Sequence, residues 1–325
     1  MIRGHEQARA IFREAIERNR VAHGYLLVGM AGVGKKTLAR SLAQALNCDL
    51  ARYPACGTCA SCIKIESSNH PDVIMVERET RSIKINQIRE LIASLHYRAY
   101  EGRVKVVIIP EAERMTPHSM NALLKTLEEP RPDTVLILTT SNQERLLPTI
   151  VSRLQIIRLK PLPLSVIEDM IREQLGLEPE PAAVLASLSE GSPGKALALD
   201  RTFVLEVRKR VLGRLLALNP GNPSQLFEFA RELSDLREDP EEVLGMLAGF
   251  YRDLLWDKTG VSARMNVDME GLIQEESRRV GLEKILEKLA VISETRKRLE
   301  GNANRLLAME FLTMALKELP GTEVR

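Results

Sequence analysis

Gly29-Met30-Ala31-Gly32-Val33-Gly34-Lys35-Lys36-Thr37 is the stretch that decides how this chain folds. It nearly fits a phosphate-binding loop, whose pattern is Gly, four residues, Gly-Lys, then Ser or Thr. Gly29, Gly34 and Lys35 stand in register, but Lys36 occupies the hydroxyl position and Thr37 follows one residue late. Such a loop offers backbone N–H groups and an ammonium to a phosphate, and it lacks the hydroxyl that holds Mg²⁺. A Gly-rich turn between strand and helix can exist without any ligand, so context decides. Tyr25 to Val28 reads as a strand entering the loop, and Leu38, Leu42, Ala45 and Leu46 follow at helical spacing. Gly29, Gly32, Gly34, Lys35, Lys36 and Thr37 are therefore the candidate contacts to ATP or ADP, in a site poorly equipped for hydrolysis.

The second half of an ATPase site is altered in the same sense. Val104, Val106, Val107, Ile108 and Ile109 form a β-branched apolar run, the mark of a buried parallel strand. In phosphate-loop ATPases an Asp at the end of such a strand helps hold Mg²⁺. Here Pro110 stands there, with neither charge nor N–H, and Glu111 comes next, able to polarise water.

Strand and helix signals alternate through the first half. Asp72 to Val76, Val135 to Leu138 and Ile156 to Leu159 read as further strands; Ile85, Ile88, Leu91, Ile92 and Leu95 share one helix face. Thr116 is placed to cap a helix with Pro117 at its first position, where a missing N–H costs nothing. That helix sets Met120, Leu123, Leu124 and Leu127 on a core face and ends before Pro130. Five strands with crossover helices specify a three-layer α/β domain around a parallel sheet. After Pro163 strands vanish: 163–202 reads as a small helical unit, with Gly191-Ser192-Pro193-Gly194 as a turn, and 203–325 as helix after helix. Leu282, Ile285, Leu286, Leu289 and Ile292 form an apolar stripe expected to pack into a bundle core.

Composition narrows the function classes. At 325 residues the chain can build two or three cored domains, and with 44% hydrophobic but 4% aromatic residues the core is aliphatic. A net charge of +2 gives no electrostatic case for nucleic-acid binding by itself. No run of about 18 apolar residues occurs, so no membrane span is expected. The charged, amphipathic opening MIRGHEQARAIFREAIERNR is unlike a signal peptide, which points to the cytoplasm.

All four cysteines, Cys48, Cys56, Cys59 and Cys62, fall within one short segment. Two overlapping C-x-x-C steps suit a tetrahedral thiolate site better than disulfides in a cytosolic chain. Four sulfurs with no open position make a structural zinc; an iron–sulfur cluster is the alternative. His70 is a weaker candidate ligand, more simply a polar loop residue.

Four stretches carry a family resemblance. Asn121-Ala122-Leu123-Leu124-Lys125-Thr126-Leu127-Glu128-Glu129-Pro130, with Arg145-Leu146-Leu147-Pro148-Thr149-Ile150-Val151-Ser152-Arg153, resembles the clamp-loader branch of the AAA+ ATPases. The cysteine module directly after the loop helix is similar to that of bacterial clamp-loader subunits, and Asn302 to Glu310 resembles the last helix of their collar domain. The resemblance covers the whole chain, and the degraded ATP site is closer to the family's non-motor subunits than to its ATPase motors. It implies an AAA+ domain over 1–162 with the zinc module at about 48–62, a lid over 163–202 and a collar over 203–325.

The resemblance also implies partners and roles. In the family, five subunits hang from a helical collar, with ATP at interfaces between neighbours. The implied partners are the delta and gamma/tau subunits of a hetero-pentamer, with the sliding clamp and primer-template DNA reached through the assembly and no membrane. Arg153, in the family's Ser-Arg-Cys motif, is implied as an arginine finger that reaches a neighbour's γ-phosphate; an ordinary surface arginine is the plain alternative. Leu154 departs from the family cysteine and is expected to be a packing change. Thr140 falls at the position that senses the γ-phosphate, or simply caps a strand end; Gly194 and Lys195 stand where the lid usually supplies an Arg. Three functions remain open: a structural subunit that activates a neighbour in trans, an active ATPase motor, and a stand-alone zinc-dependent nucleic-acid-binding module.

Overall fold

A computed structural model of the chain describes residues 3–77, 82–261 and 265–317; the end of the expected collar segment, 318–325, lies outside the described residues. Contacts divide the chain into two compact units, Met1–Ile167 with Gly191–Lys195, and Glu168–Glu190 with Ala196–Arg325.

The first unit runs α1 Glu6–Glu17, β1 Gly24–Val28, α2 Lys35–Asn47, α3 Ala60–Glu66, β2 Val73–Met75, α4 Ile85–Ser94, β3 Lys105–Ile109, α5 Pro117–Glu128, β4 Thr134–Thr140, α6 Pro148–Val151 and β5 Gln155–Arg158. Its five strands form one parallel sheet in the order β2-β3-β4-β1-β5. Alternate residues of each strand feed opposite faces. Tyr25, Leu27, Val106, Ile108, Val135 and Ile137 pack with Phe12, Leu38 and Leu42 of α1 and α2. Leu26, Val107, Ile109, Leu136 and Leu138 pack with Ile88 and Leu91 of α4 and Leu123 and Leu127 of α5. The expected three-layer α/β domain is present. Thr116 caps α5 as its sequence indicates, its hydroxyl accepting the Ser119 N–H at 3.2 Å with Pro117 in the first turn.

Strand order, which periodicity does not encode, matters most for the site. β4 lies between β1, which leads into the Gly-rich loop, and β3, which ends at Pro110. Its end therefore joins both halves. The Gly29 N–H donates to the Thr140 carbonyl at 3.1 Å, and the Glu111 N–H to Thr139 Oγ1 at 3.2 Å.

The second unit is helical among its described residues. α7 Leu164–Leu175 and α9 Pro193–Ala198 each straddle a boundary between the units, and α8 Pro179–Leu188 lies between them. A π-helical turn, Phe203–Val207, then precedes α10 Arg208–Ala217, α11 Pro223–Asp235, α12 Pro240–Thr259, α13 Glu270–Arg279, α14 Leu282–Glu300 and α15 Arg305–Leu316. Arg208 is buried, and its guanidinium donates to both oxygens of Asp268 at 2.7 Å. The stripe on α14 is only partly core: Ile285 and Ile292 are buried, but Leu282 and Leu286 are 43% and 49% exposed. The buried face runs through Ile285, Ile292 and Thr295, so Leu282 and Leu286 fall on its flank.

Candidate functional site

The Gly-rich loop is built as a phosphate cradle. Gly32 and Gly34 take left-handed backbone conformations, φ 73° and 103°, which a side chain would strain, and α2 starts directly after Gly34. The first N–H groups of α2 have no partner inside the helix. The loop carbonyls, by contrast, are occupied. Lys35 Nζ donates to the Gly29 and Met30 carbonyls at 2.7 and 2.8 Å. The Ser192 hydroxyl donates to the Ala31 carbonyl at 2.9 Å, and the Gly194 N–H to that of Gly32 at 2.9 Å. His5 Nε2 donates to the Val33 carbonyl at 2.8 Å. With these carbonyls held, the N–H groups at the start of α2 are left for an anion.

The neighbouring charges follow from the same geometry. Burial lowers the Lys35 pKa, against the opposing pull of Glu113 and Glu111. Glu113 is held below its ordinary value: burial would raise it, but the hydroxyl and N–H of Ser141 outweigh that by donating to its carboxylate. Lys36 turns away from the loop towards Glu77, 3.7 Å away, and Glu111 pairs with Arg114 at 2.6 Å. Thr37 is exposed in the first turn of α2. Thr140 is fully buried, and its hydroxyl accepts the Asn142 N–H at 3.1 Å, a strand-end cap. A fold of this class holds Mg²⁺ with a loop hydroxyl and a strand-end carboxylate. Lys36 and Pro110 supply neither, so the residues present do not fit that ion.

Gly194 touches the loop itself. A Cβ on it would lie 2.9 Å from Gly32 Cα, so only a glycine lets this turn close on Gly32. His5, Glu113 and Ser192 were not picked out by sequence reasoning; only the Gly191-Ser192-Pro193-Gly194 turn hinted at one of them.

Arg153 lies at the far end of α6, its side chain one-third exposed. Its guanidinium donates to the Thr149 carbonyl at 2.8 Å and to Glu128 Oε1 at 2.7 Å. Leu154 is buried beside Leu127 and Ile150, and its Cδ2 lies 2.4 Å from where a Cβ on Gly24 would sit.

The four cysteines converge between α2 and α3. Their sulfurs all lie within 4.8 Å of one another, with Cys48 and Cys62 buried. Sulfurs about 2.3 Å from one tetrahedral zinc lie about 3.8 Å apart, so the set fits a closed zinc site. The Cys56 N–H donates to Cys48 Sγ at 3.4 Å and the Cys59 N–H to Cys56 Sγ at 3.3 Å. The Thr58 and Cys59 N–H groups pull the Cys56 thiol down to about 6, whereas burial pushes Cys62 up. His70 is not among the clustered ligand atoms. It is buried beside β2, its Nδ1 accepting the Asp72 N–H at 3.1 Å.

Comparison with known proteins agrees with this architecture. The family described as DNA polymerase III, delta subunit, matches residues 4–163, and its C-terminal counterpart matches 204–317. The chain is 31% identical to the DNA polymerase III subunit delta' of Bacillus subtilis over 309 residues, 94% of this chain and 93% of that one. It is 34% identical to the Pseudomonas aeruginosa subunit delta', covering 96% and 97% of the two chains. The DNA polymerase III subunit tau of Escherichia coli is 35% identical over 202 residues, but that match spans 60% of this chain and 31% of tau. Two delta' relatives matched nearly end to end, with a five-stranded parallel sheet in the first unit, place the chain in the delta' family of DNA polymerase III subunits.

Proposed function

We propose that the chain works as a non-motor clamp-loader subunit that completes a neighbour's ATP site while hydrolysing little or no ATP itself. The observation that carries this is a contrast: Lys36 and Pro110 replace both metal-holding side chains, while Arg153 keeps its guanidinium at the surface. In this function 1–162 is the AAA+ domain, 163–202 the lid and 203–325 the collar. The collar binds delta and gamma/tau subunits in a hetero-pentamer, through which the chain serves the sliding clamp and primer-template DNA in the cytoplasm. Arg153 reaches the γ-phosphate bound by the adjoining subunit. Cys48, Cys56, Cys59 and Cys62 hold a structural zinc that fixes the segment after α2. Gly29, Gly32, Gly34, Lys35, Lys36 and Thr37 retain an anion site for ATP or ADP, with Thr140 at its edge.

A gamma/tau-like motor is the second reading, favoured by intact Lys35 and by the match to tau. ATPase assays separate the two. The chain alone should be silent, and mixing it with its partner subunits should give activity that Arg153→Ala lowers by about 10³-fold or more. Substantial activity of the chain alone, abolished by Lys35→Ala, would establish the motor instead. Partner activity indifferent to Arg153→Ala would remove the trans role.

A further inference from the structure

Beside the loop lies a cleft of about 320 Å³ walled by Lys36, Glu77, Pro110, Glu111 and Arg114. Its four charges cancel in pairs, Lys36 with Glu77 at 3.7 Å and Arg114 with Glu111 at 2.6 Å. A Mg²⁺ ion needs near-octahedral oxygen ligands and gives up water reluctantly. Here the hydroxyl position carries an ammonium and the carboxylate position a proline, while Glu111, the nearest carboxylate in sequence, is bonded to Arg114. Among the described residues of these walls, a dication entering the cleft would meet two cations, and both carboxylates, Glu77 and Glu111, are paired.

Lys36 itself is not locked. Its side chain is 48% exposed and Glu77 is 76% exposed, and such a surface pair holds its partners weakly. An ammonium bonded directly to a phosphate oxygen makes a charge-assisted hydrogen bond of about 2.7–2.9 Å, closer than the 3.7 Å contact with Glu77. Lys35, one residue earlier, already lies inside the loop against the Gly29 and Met30 carbonyls. Lys36 thus follows Lys35 at the start of α2, its ammonium in the bordering cleft, from which, once released by Glu77, it can turn to a phosphate on the loop N–H groups.

We infer that Lys36 is the resident cation of this site: the loop takes a nucleoside di- or triphosphate without a divalent metal, the Lys36 ammonium standing in for Mg²⁺. This rests on the anion-site reading above. Its consequence is a nucleotide that stays put. With no metal to bring a water in line with the γ-phosphate, bound nucleotide acts as a fixed part of the domain.

Calorimetric titration of ADP into the full, zinc-loaded chain tests it, first in buffer freed of divalent cations and then with millimolar Mg²⁺. Mg²⁺ should change the wild-type affinity by less than about threefold. Lys36→Thr should weaken metal-free binding by about tenfold, and Lys36→Arg should retain it. Far-UV circular dichroism and zinc content unchanged in the variants separate this loss from misfolding. Wild-type binding that needs Mg²⁺, or metal-free binding equal in Lys36→Thr and wild type, would overturn the inference while leaving the anion site intact. No ADP binding in either buffer would overturn the site and the inference together.

Discussion

Gly24→Ala should destabilise the chain only while Leu154 is present. Gly24 opens β1, and a Cβ there would sit 2.4 Å from Leu154 Cδ2, against an ordinary carbon–carbon contact of about 3.5–4.0 Å. Leu154 is buried against Leu127 and Ile150, so it cannot swing clear without disturbing the packing of α5 and α6. Overpacking of this kind costs about 1–3 kcal/mol, offset by about 0.4–1 kcal/mol from the stiffer unfolded chain of Ala. The net expectation for Gly24→Ala is a loss of about 1–2 kcal/mol. Leu154→Cys removes about two carbons' worth of burial and leaves a hole, a loss of about 2 kcal/mol. In the double variant the new methyl enters the space vacated by Leu154. Its stability should match Leu154→Cys alone or exceed it, a coupling of about 1–2 kcal/mol that contacting residues can supply. Urea unfolding followed by far-UV circular dichroism on the four proteins measures this cycle. Losses that add to within about 0.5 kcal/mol would refute the reasoning, because they would mean that the two positions do not share space.

Other expectations follow from single sites. Cys59→Ser should release the zinc and loosen 48–62; elemental analysis that finds the metal content unchanged would disprove the four-thiolate site. Asp72 is buried, and its carboxylate accepts the N–H groups of Tyr100, Glu101 and Gly102 at 2.7–2.8 Å. Burial alone would raise its pKa, but these three donors lower it below 3.8. Its contribution to stability is therefore complete above its unfolded pKa and is lost as pH falls through the lower folded value. Asp72→Asn should cost about 1–3 kcal/mol at neutral pH, and the gap from wild type should narrow in acid; a gap constant with pH would contradict the assignment.

The features legible in the sequence are those set by neighbours along the chain. The Gly-rich loop, the cap at Thr116 and the clustered cysteines are local spacings, and all are recovered as structure. The central strands were legible because runs such as Val106–Ile109 are apolar throughout, as a strand covered on both faces must be, whereas the edge strand β5 is exposed at Gln155, Ile156 and Arg158. The apolar stripe of α14 is wider than its buried face, since helical period identifies a face but not how much of it a neighbour covers.

Sequence by itself determined the chemistry that is missing. Lys36 at a hydroxyl position and Pro110 at a carboxylate position are statements of residue type, and folding adds no oxygen to either. It determined the four clustered thiols for the same reason. The tertiary structure alone decided what the loop touches. Ser192 reaches the Ala31 carbonyl from 161 positions away, His5 reaches Val33 from 28, and β4 comes between the two halves of the site. Leu154, an isolated departure in the sequence, lies opposite Gly24 in the fold. Such pairings depend on strand order and on where turns close. Periodicities of 2 and 3.6 residues report which face of an element is apolar and carry no record of which element lies against it.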